Sequence, residues 1–322
     1  MDHFLSLLAH VLSALLQPLL LLAAAPLLVA WIRRAKARLQ NRRGAPLLQP
    51  YRDLRKLFAK EAVVARTASP LFRAAPYVVF AATLVAAGTL PLLSLRLPSA
   101  AVADAIALIG LLGLARFLLV LAGLDAGTPF GGMGSSREML VSTFAEPALL
   151  LVVFTLAMTA HSTNLASMVQ TTLSAGLVLR PSYLFALAAL LLVAIAECGR
   201  IPVDNPATHL ELTMIHEGML LEYSGRHLAL MEWAAQLKLA LFAALIVDLF
   251  LPWGIAAGFA PGALAWAALA LALKLGALGA LLAVAETVLA KMRLFRVPGF
   301  LNLAFLLALL GLLSHVILEA AT

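Results

Sequence analysis

Long runs of apolar residues dominate the chain and predict an all-α, polytopic membrane protein with about eight transmembrane helices. The runs cover residues 4–32, 74–95, 101–124, 143–162, 181–198, 228–250, 262–288 and 299–318. A helix needs roughly 20 apolar residues to cross the ~30 Å hydrocarbon core of a bilayer. Pro147 and Pro181 fall at the start of two runs, and proline is tolerated in a first helical turn. We therefore expect a single integral membrane domain over residues 1–322.

The composition supports this class. Hydrophobic residues make up 63% of the chain and charged residues only 12%, whereas a soluble domain has about 25% charged residues. Leu and Ala dominate the apolar runs, which suits helices better than the alternating strands of a barrel. Basic residues follow the first run rather than precede it, so we expect a retained first helix and not a cleaved leader.

The basic residues predict the orientation of the chain. With the amino terminus outside, the inside segments are 33–73, 125–142, 199–227 and 289–298. These segments contain 18 Lys and Arg residues, and the outside segments contain only Arg96 and Arg180. Because positive charge is retained on the cytoplasmic side, we expect the basic loops to face the cytoplasm. The same argument disfavours a nucleic-acid partner, since the basic block at 33–73 directly follows an apolar run.

The first inside loop contains a predicted amphipathic helix that starts near Pro50. Its apolar positions lie within an arc of about 120°, and its basic positions lie opposite. The apolar set is Tyr51, Leu54, Leu57 and Phe58, and the basic set is Arg52, Arg55, Lys56 and Lys60. We expect an interfacial helix, which either anchors the chain to lipid headgroups or covers a cavity beneath a docked partner. Asp53 is the sole acid within 33–60 and either pairs with a neighbouring Arg or takes part in proton transfer.

The third inside loop concentrates acids and histidines at the membrane surface. They are Glu197, Asp204, Glu211, Glu217, Glu222, His209, His216 and His227. A helix starting at Pro206 would place Glu211 and Glu222 on one face. Grouped carboxylates that are buried repel one another, which raises their pKa values toward the range useful for proton exchange. A solvated acidic loop is the alternative. A metal site is disfavoured, because the histidines lack a metal-ligand spacing.

We single out six charged residues within the apolar runs, where each costs roughly 2.5–3.5 kcal/mol at the bilayer centre. They are Arg116, Glu146, Glu232, Lys238, Lys274 and Glu286. Either they form salt bridges between helices, or they form a hydrated chain of proton-exchanging groups. Cys198 is the single cysteine, so this chain alone can build neither a disulfide nor a cysteine-rich cluster site. Any electron carrier therefore belongs to a partner.

Two segments give the chain a family resemblance. Residues 37–53 read ARLQNRRGAPLLQPYRD, and residues 196–204 read AECGRIPVD, followed by Glu211 and the EYSG of residues 222–225. Both resemble the cytoplasmic loops of the complex I subunit 1 family. The compact run at 43–50 and the run at 204–217 are most similar to the membrane-anchor subunit of group 4 nickel–iron hydrogenases, of the formate hydrogenlyase and hydrogenase-4 types.

The resemblance implies a non-catalytic anchor and coupling subunit in the inner membrane of a prokaryote. Its partners would be the hydrophilic large and small hydrogenase subunits, an iron–sulfur subunit and antiporter-like membrane subunits. Those partners would hold the nickel–iron centre and the iron–sulfur clusters, and this chain would bind no cofactor. The loop carboxylates would line the mouth of a proton path. The junction with the hydrophilic arm would contain Tyr51, Asp53, Arg42, Arg43 and Arg200.

Two other functions remain open from the sequence. One is a quinone-site subunit of a complex I-like quinone oxidoreductase, although hydrogenase complexes of this type do not require a quinone. The other is a free-standing ion transporter, which would be expected to show internal repeats. We see no repeat at a fixed period, and the elaborated loops lie on one predicted side only, which favours docking of a partner.

Overall fold

The computed structural model describes residues 2–65, 68–95, 103–175, 180–205, 214–256, 258 and 260–319. Within these ranges the regular elements are helices, which confirms the all-α prediction. The helices are α1 (Asp2–Leu39), α2 (Gln49–Phe58), α3 (Pro70–Gly88), α4 (Ala105–Asp125), α5 (Pro129–Ala160), α6 (Leu165–Ala175), α7 (Pro181–Glu197), α8 (His216–Leu220), α9 (Gly225–Phe250), α10 (Pro261–Val288) and α11 (Val297–Ser314).

Eight of these helices correspond to the eight predicted membrane spans. Among the described residues, seven are long and apolar enough to cross a bilayer. The eighth, α7, is an apolar helix of 17 residues. It begins at Pro181 as predicted, because proline lacks an N–H that the first helical turn leaves unpaired in any case. The short helix α6 was not predicted, and α8 covers only five residues of the helix predicted to start at Pro206.

The start of α5 differs from the prediction. The segment 125–142 was predicted to be a loop, but α5 begins at Pro129, with the Thr128 hydroxyl accepting a hydrogen bond from its first turn. Pro147 therefore lies inside the helix and not in its first turn. The stretch is rich in small residues, because a side chain at Gly131 would collide with a backbone oxygen of α4. Low hydropathy here reflects close helix packing and not a loop.

The connections between helices lie on two faces. We call the loop face the one that contains residues 40–65, 68–69, 126–128, 198–205, 214–224 and 289–296, because these segments contact one another or the adjoining end of α4. The contacts include Ser69 N to Asp125 Oδ2 (2.8 Å), Val63 N to Ser224 Oγ (2.8 Å) and Met292 N to Pro202 O (2.8 Å). On the opposite face, the Gln17 side chain accepts from Leu92 N at 2.8 Å, and Ala105 N donates to Thr163 O at 3.0 Å.

Helix α9 lies at the centre of the bundle, and α10 and α11 lie at its edge. The most apolar window of α9 is 78% buried, whereas those of α10 and α11 are 28% buried. Large apolar side chains on α10, such as Trp266 and Leu273, point away from the bundle. Such a continuous apolar surface suits contact with lipid or with another membrane subunit.

Helix α2 has the predicted amphipathic character but packs on protein. Leu54 is buried, and the Phe58 ring lies edge-on to Trp233 of α9 with centroids 6.1 Å apart. The Tyr51 hydroxyl donates a hydrogen bond to Ala23 O of α1, and burial raises the pKa of Tyr51. The apolar face of α2 is therefore directed at α1 and α9.

Candidate functional site

A cluster of five charged side chains, built around the buried Arg116 and Glu197, joins four helices. We call it the Arg116 network. Arg116 of α4 has a side chain that is only 4% exposed, and it faces three carboxylates. These are Glu138 at 3.4 Å and Glu146 at 2.5 Å, both on α5, and Glu197 at the end of α7. Glu197 also accepts from Lys238 Nζ of α9 at 2.8 Å.

The charges of this network do not balance. Three carboxylates face two cations, which leaves a formal charge of −1 when all five groups are ionised. A buried charge is tolerated only when opposite charges and hydrogen bonds compensate it. One carboxylate can therefore take up a proton without leaving a cation unpaired. This is the property expected of a proton-exchanging group.

A small cavity of about 70 Å³ borders the network, and we call it the inner cavity. Its polar lining comes from Thr83, Arg116, Glu138, Glu197, Asp204, His216 and Lys238. A space of this size and polarity is large enough for water. The charged groups thus line a chamber and are not sealed into the apolar core.

A larger cavity of about 520 Å³, the outer cavity, lies on the loop face. Charged side chains of both signs line it: Arg33, Lys36, Arg42, Arg43, Arg200, Asp204, Glu217, Glu232 and Glu286, together with His216. The Glu286 carboxylate forms salt bridges with Lys36 Nζ at 3.1 Å and with Arg200 Nη1 at 3.3 Å. These bridges join α1, the segment after α7 and α10 around the cavity.

The wall between the two cavities is formed by residues that line both: Cys198, Gly199, Asp204, His216 and Ala235. Asp204 is held by Lys291 at 2.7 Å, and it accepts hydrogen bonds from Asn205 N at 2.8 Å and Ile215 N at 3.2 Å. Burial raises the pKa of the Cys198 thiol to about 12, so this side chain stays neutral at physiological pH.

A second pair of charged residues, of which one is buried, lies on the opposite face. The Lys274 ammonium of α10 donates to Leu251 O at 2.6 Å and to Trp253 O, just after the end of α9. Asp248 of α9 is 2% exposed, and its Oδ2 has no hydrogen-bond partner among the described residues. We call these two residues the Asp248–Lys274 pair. Neither lines the inner or the outer cavity as the described residues define them.

The structure brings together most of the predicted proton-path residues. Arg116, Glu146, Glu197 and Lys238 meet in the Arg116 network, and Asp204, Glu217, Glu232 and Glu286 line the outer cavity. Lys274 lies apart from both groups. Of the two interpretations of these charges, salt bridges between helices are present in the structure. A hydrated chain of proton-exchanging groups stays a prediction.

The third loop differs from the predicted arrangement. Glu211 and His209 lie outside the described residues. The predicted helix from Pro206 that would place Glu211 and Glu222 on one face is wrong, because residues 214–215 and 221–224 are not helical. Glu222 lies in the turn after α8 and is exposed. Over residues 199–205 the chain is not helical, as Gly199 and Pro202 predicted, but α8 is a short helix fixed by tertiary contacts.

The junction residues separate into two sets. Arg42, Arg43 and Arg200 line the outer cavity. Tyr51 and Asp53 of α2 are not among the described residues that line this cavity. Helix α2 therefore does not cover it. Asp53 is exposed and accepts from Gln49 Nε2 at 2.9 Å, one turn away on its own helix.

Sequence reasoning missed two acids of these groups. Glu138 was passed over because its segment was taken for a loop. Asp248 lies in the apolar run 228–250 and showed the same signal as the six residues that were chosen, so it could have been found. Within the described part of the chain, no group of three or more His, Cys, Asp or Glu residues is arranged to hold a metal ion.

Comparisons with known proteins place the sequence of this chain in one family. The NADH dehydrogenase family model matches residues 11–317. The chain is 38% identical to hydrogenase-4 component C of Escherichia coli (strain K12) over 301 residues, which cover 94% of each chain. It is 36% identical to formate hydrogenlyase subunit 4 of the same organism, covering 92% of this chain and 97% of the relative.

Two further comparisons are more distant. The chain is 31% identical to one of the NADH-quinone oxidoreductase subunits of Syntrophobacter fumaroxidans, covering 74% of this chain and 75% of that one. A chain in the structure of the membrane-bound sulfane sulfur reductase, an archaeal respiratory membrane complex, shares the fold. Its TM-score is 0.77 at 20% identity, over 94% of this chain and 99% of the other.

Proposed function

Because this chain belongs to the NADH dehydrogenase subunit 1 family, as the two loop segments predicted, we propose that it is the membrane-anchor and coupling subunit of a hydrogenase complex. The two hydrogenase-type relatives match it over nearly the whole chain, and the NADH-quinone relative matches it over three quarters at lower identity. The names of these relatives describe subunits or components of complexes. This chain would work in the same kind of assembly.

The loop face is the proposed docking surface for the redox partners. These partners are the large and small hydrogenase subunits and an iron–sulfur subunit, which would hold the nickel–iron centre and the clusters. The charged outer cavity opens on this face, and a partner seated there would separate it from bulk water. The excess of basic residues on this side supports a cytoplasmic orientation in the inner membrane of a prokaryote, with the amino terminus outside. Antiporter-like subunits would contact the exposed apolar face of α10 and α11.

The observation that supports coupling is the Arg116 network with its unbalanced charge beside a cavity. A change of charge in the docked redox partner alters the electrostatic potential in the outer cavity. The potential then favours or disfavours protonation of the network carboxylates, since they lie in a region of low dielectric constant. In this mechanism the chain itself makes and breaks only bonds to protons.

The assembly part of this proposal is tested by purification from native membranes. A tagged chain should bring down hydrogenase subunits together with nickel and iron, in fixed proportion to the tag. Isolation of the chain as a lone species that transports ions by itself would support the free-standing transporter instead.

The coupling part is tested in sealed inverted vesicles. Proton uptake should be measured with a pH-sensitive dye while electrons flow through the complex. Glu138→Gln should lower the number of protons moved per electron while electron transfer and subunit content are retained. Asp248→Asn is the matched control, because Asp248 is a buried acid that lines neither cavity. Equal ratios in wild type and Glu138→Gln would contradict the assignment of the network to proton transfer.

A quinone-binding function is the second candidate, and one cavity favours it. An apolar cavity of about 190 Å³ lies between α1, α7, α9 and α10. Its lining includes Leu28, Phe242, Ile246 and Leu282, and it meets the outer cavity at Cys198 and Arg200. An apolar tail with a polar head would suit this pair of cavities. Labelling of α1 or α10 by a photoreactive quinone in the intact complex would support it, and the absence of labelling would support quinone-free coupling.

A further inference from the structure

We propose that His216 transfers protons between the outer and the inner cavity. This inference rests on the proposed coupling function and names the residue that connects the surface to the Arg116 network. His216 is the first residue of the five-residue helix α8. It lines both cavities, and so does Asp204, its neighbour in the dividing wall.

Of the residues in this wall, His216 is the one suited to relay protons. Gly199 and Ala235 have no exchangeable side-chain proton, and the pKa of Cys198, about 12, keeps its thiol protonated. Asp204 is fixed by Lys291 and by two backbone N–H groups. Imidazole, in contrast, has two ring nitrogens, so it can bind a proton on one side of the ring and release one on the other.

The hydrogen bonding of His216 supports this role. Its Nε2 atom is buried, and no hydrogen-bond partner is found for it among the described residues. A buried polar atom without a partner costs about 1–3 kcal/mol, so a purely structural histidine would be expected to have one. An unpaired ring nitrogen beside two polar cavities is free to exchange protons with water or with a carboxylic acid.

Close packing fixes the position of α8 in the wall. A side chain at Gly134 of α5 would approach Ile215 O within 2.8 Å, and one at Gly218 would approach Phe130 O within 3.2 Å. Arg137 Nη1 also donates to Met214 O at 2.7 Å. These contacts hold the residues on both sides of His216 against α5, so the imidazole stays between the cavities.

The charges on each side give the transfer its direction. Acids and bases line both cavities. In the outer cavity the acids are Glu217, Glu232 and Glu286, and the bases are Arg33, Lys36, Arg42, Arg43 and Arg200. In the inner cavity the acids are Glu138 and Glu197, and the bases are Arg116 and Lys238. A proton from the outer side binds one ring nitrogen, and the imidazolium then releases the proton of its other nitrogen toward the inner carboxylates. One N–H bond forms and one breaks, and the net charge of −1 in the Arg116 network favours the inward step.

The test uses the intact complex in sealed vesicles and two substitutions, His216→Gln and His216→Ala. Each should slow proton movement roughly a hundredfold, the lower end of what a positioned proton-transfer group contributes to a rate, and should therefore lower the number of protons moved per electron. Electron transfer to a soluble acceptor and the subunit content should stay unchanged. Added imidazole should restore proton movement in His216→Ala, where the side-chain volume is vacated, and not in His216→Gln.

His227→Gln is the matched control. His227 is also buried, but it lies on α9 against the rings of Tyr77 and Tyr223, with centroids 5.7 and 6.5 Å away. This variant should keep the wild-type proton-to-electron ratio.

The outcomes separate the relay from the proposed function. A wild-type ratio in His216→Gln would overturn the relay alone. A complex whose wild-type form moves no protons would overturn the coupling function and the relay with it. Loss of assembly in both His216 variants, with His227→Gln intact, would assign His216 a structural role and likewise overturn the relay.

Discussion

The Arg116 network and the Asp248–Lys274 pair place buried charges on opposite faces of the same helical bundle, but their surroundings differ. In the network, each cation faces a carboxylate, and the inner cavity borders the group. In the pair, Lys274 binds two backbone carbonyls, and Asp248 keeps an unpaired oxygen inside the apolar core. Burial of charge is common to both. Contact with a polar cavity distinguishes the first.

The role of Lys274 follows from the end of α9. The last carbonyls of a helix lack intrahelical donors, and a cation near the carboxyl end of a helix is stabilised by its dipole. Lys274 supplies both the donors and the charge to the segment that follows α9. From this comparison we expect a charged residue in an apolar run to belong to a proton path only when it also lines a water-accessible space.

The largest expected effect is that of Arg116→Gln. Removal of one partner from a buried ion pair typically costs about 3–5 kcal/mol, and here three carboxylates would lose their shared cation. We expect a marked drop in the thermal denaturation midpoint of the protein in detergent and a loss of assembled complex. Arg52→Gln, on the exposed face of α2, should change the stability by no more than about 0.5 kcal/mol. Equal midpoints for the two variants would show that the network is not structural.

Lys274→Met should have a smaller effect on stability. It removes two hydrogen bonds from a charged donor, and a hydrogen bond of this kind contributes about 1.5–3 kcal/mol. The vacated carbonyls belong to the exposed residues Leu251 and Trp253, so water can partly replace the ammonium. The denaturation midpoint should fall less than in Arg116→Gln. The proton-to-electron ratio should stay at the wild-type value. A lowered ratio would place Lys274 on the proton path and remove the contrast between the two groups.

Asp248→Asn should be nearly neutral. The substitution keeps the shape of the side chain and replaces an unpaired buried oxygen with an amide, so we expect a change within about 1 kcal/mol and wild-type coupling. The measurement pairs a denaturation curve with the vesicle assay. Strong loss of coupling in this variant, with stability retained, would show that a second ionisable site operates on the opposite face.

The smallest effect concerns Cys198, which borders both cavities. Burial raises the pKa of its thiol to about 12, and only the thiolate reacts with maleimides. Since the thiolate fraction rises about tenfold per pH unit below the pKa, labelling should be negligible at pH 7 and should increase steadily up to the alkaline limit of stability. Rapid labelling at neutral pH, measured by mass spectrometry, would show that the wall between the cavities opens.

The sequence predicted the architecture well and the site only in part. Apolar runs identified eight helices because a hydrocarbon core imposes one length and one composition on a span. The amphipathic pattern located α2, and Pro181 marked the start of α7. The two loop motifs identified the family. Residue types alone also selected most of the charged groups that line the cavities, because an ionisable residue within a span is rarely without a role.

The partners of these charges could not be predicted from one sequence. Arg116 meets Glu197 across 81 positions and Lys36 meets Glu286 across 250, and such pairings depend on the packing order of the helices. Glu138 was missed because glycines and serines that allow close helix contact resemble a loop. His216 was considered only as a metal ligand, since its position between two cavities is a property of the folded chain.

The shortness of α7 has an electrical consequence. Seventeen residues rise about 26 Å, less than the ~30 Å of an average hydrocarbon core, and Glu197 lies at the end of this helix. Where aqueous space reaches into the bilayer, the transmembrane voltage falls across the remaining thinner layer. The step from the loop face to Glu197 should therefore depend little on voltage, and a proton that continues to the other side should experience nearly the full 2.3 kcal/mol or so per 100 mV.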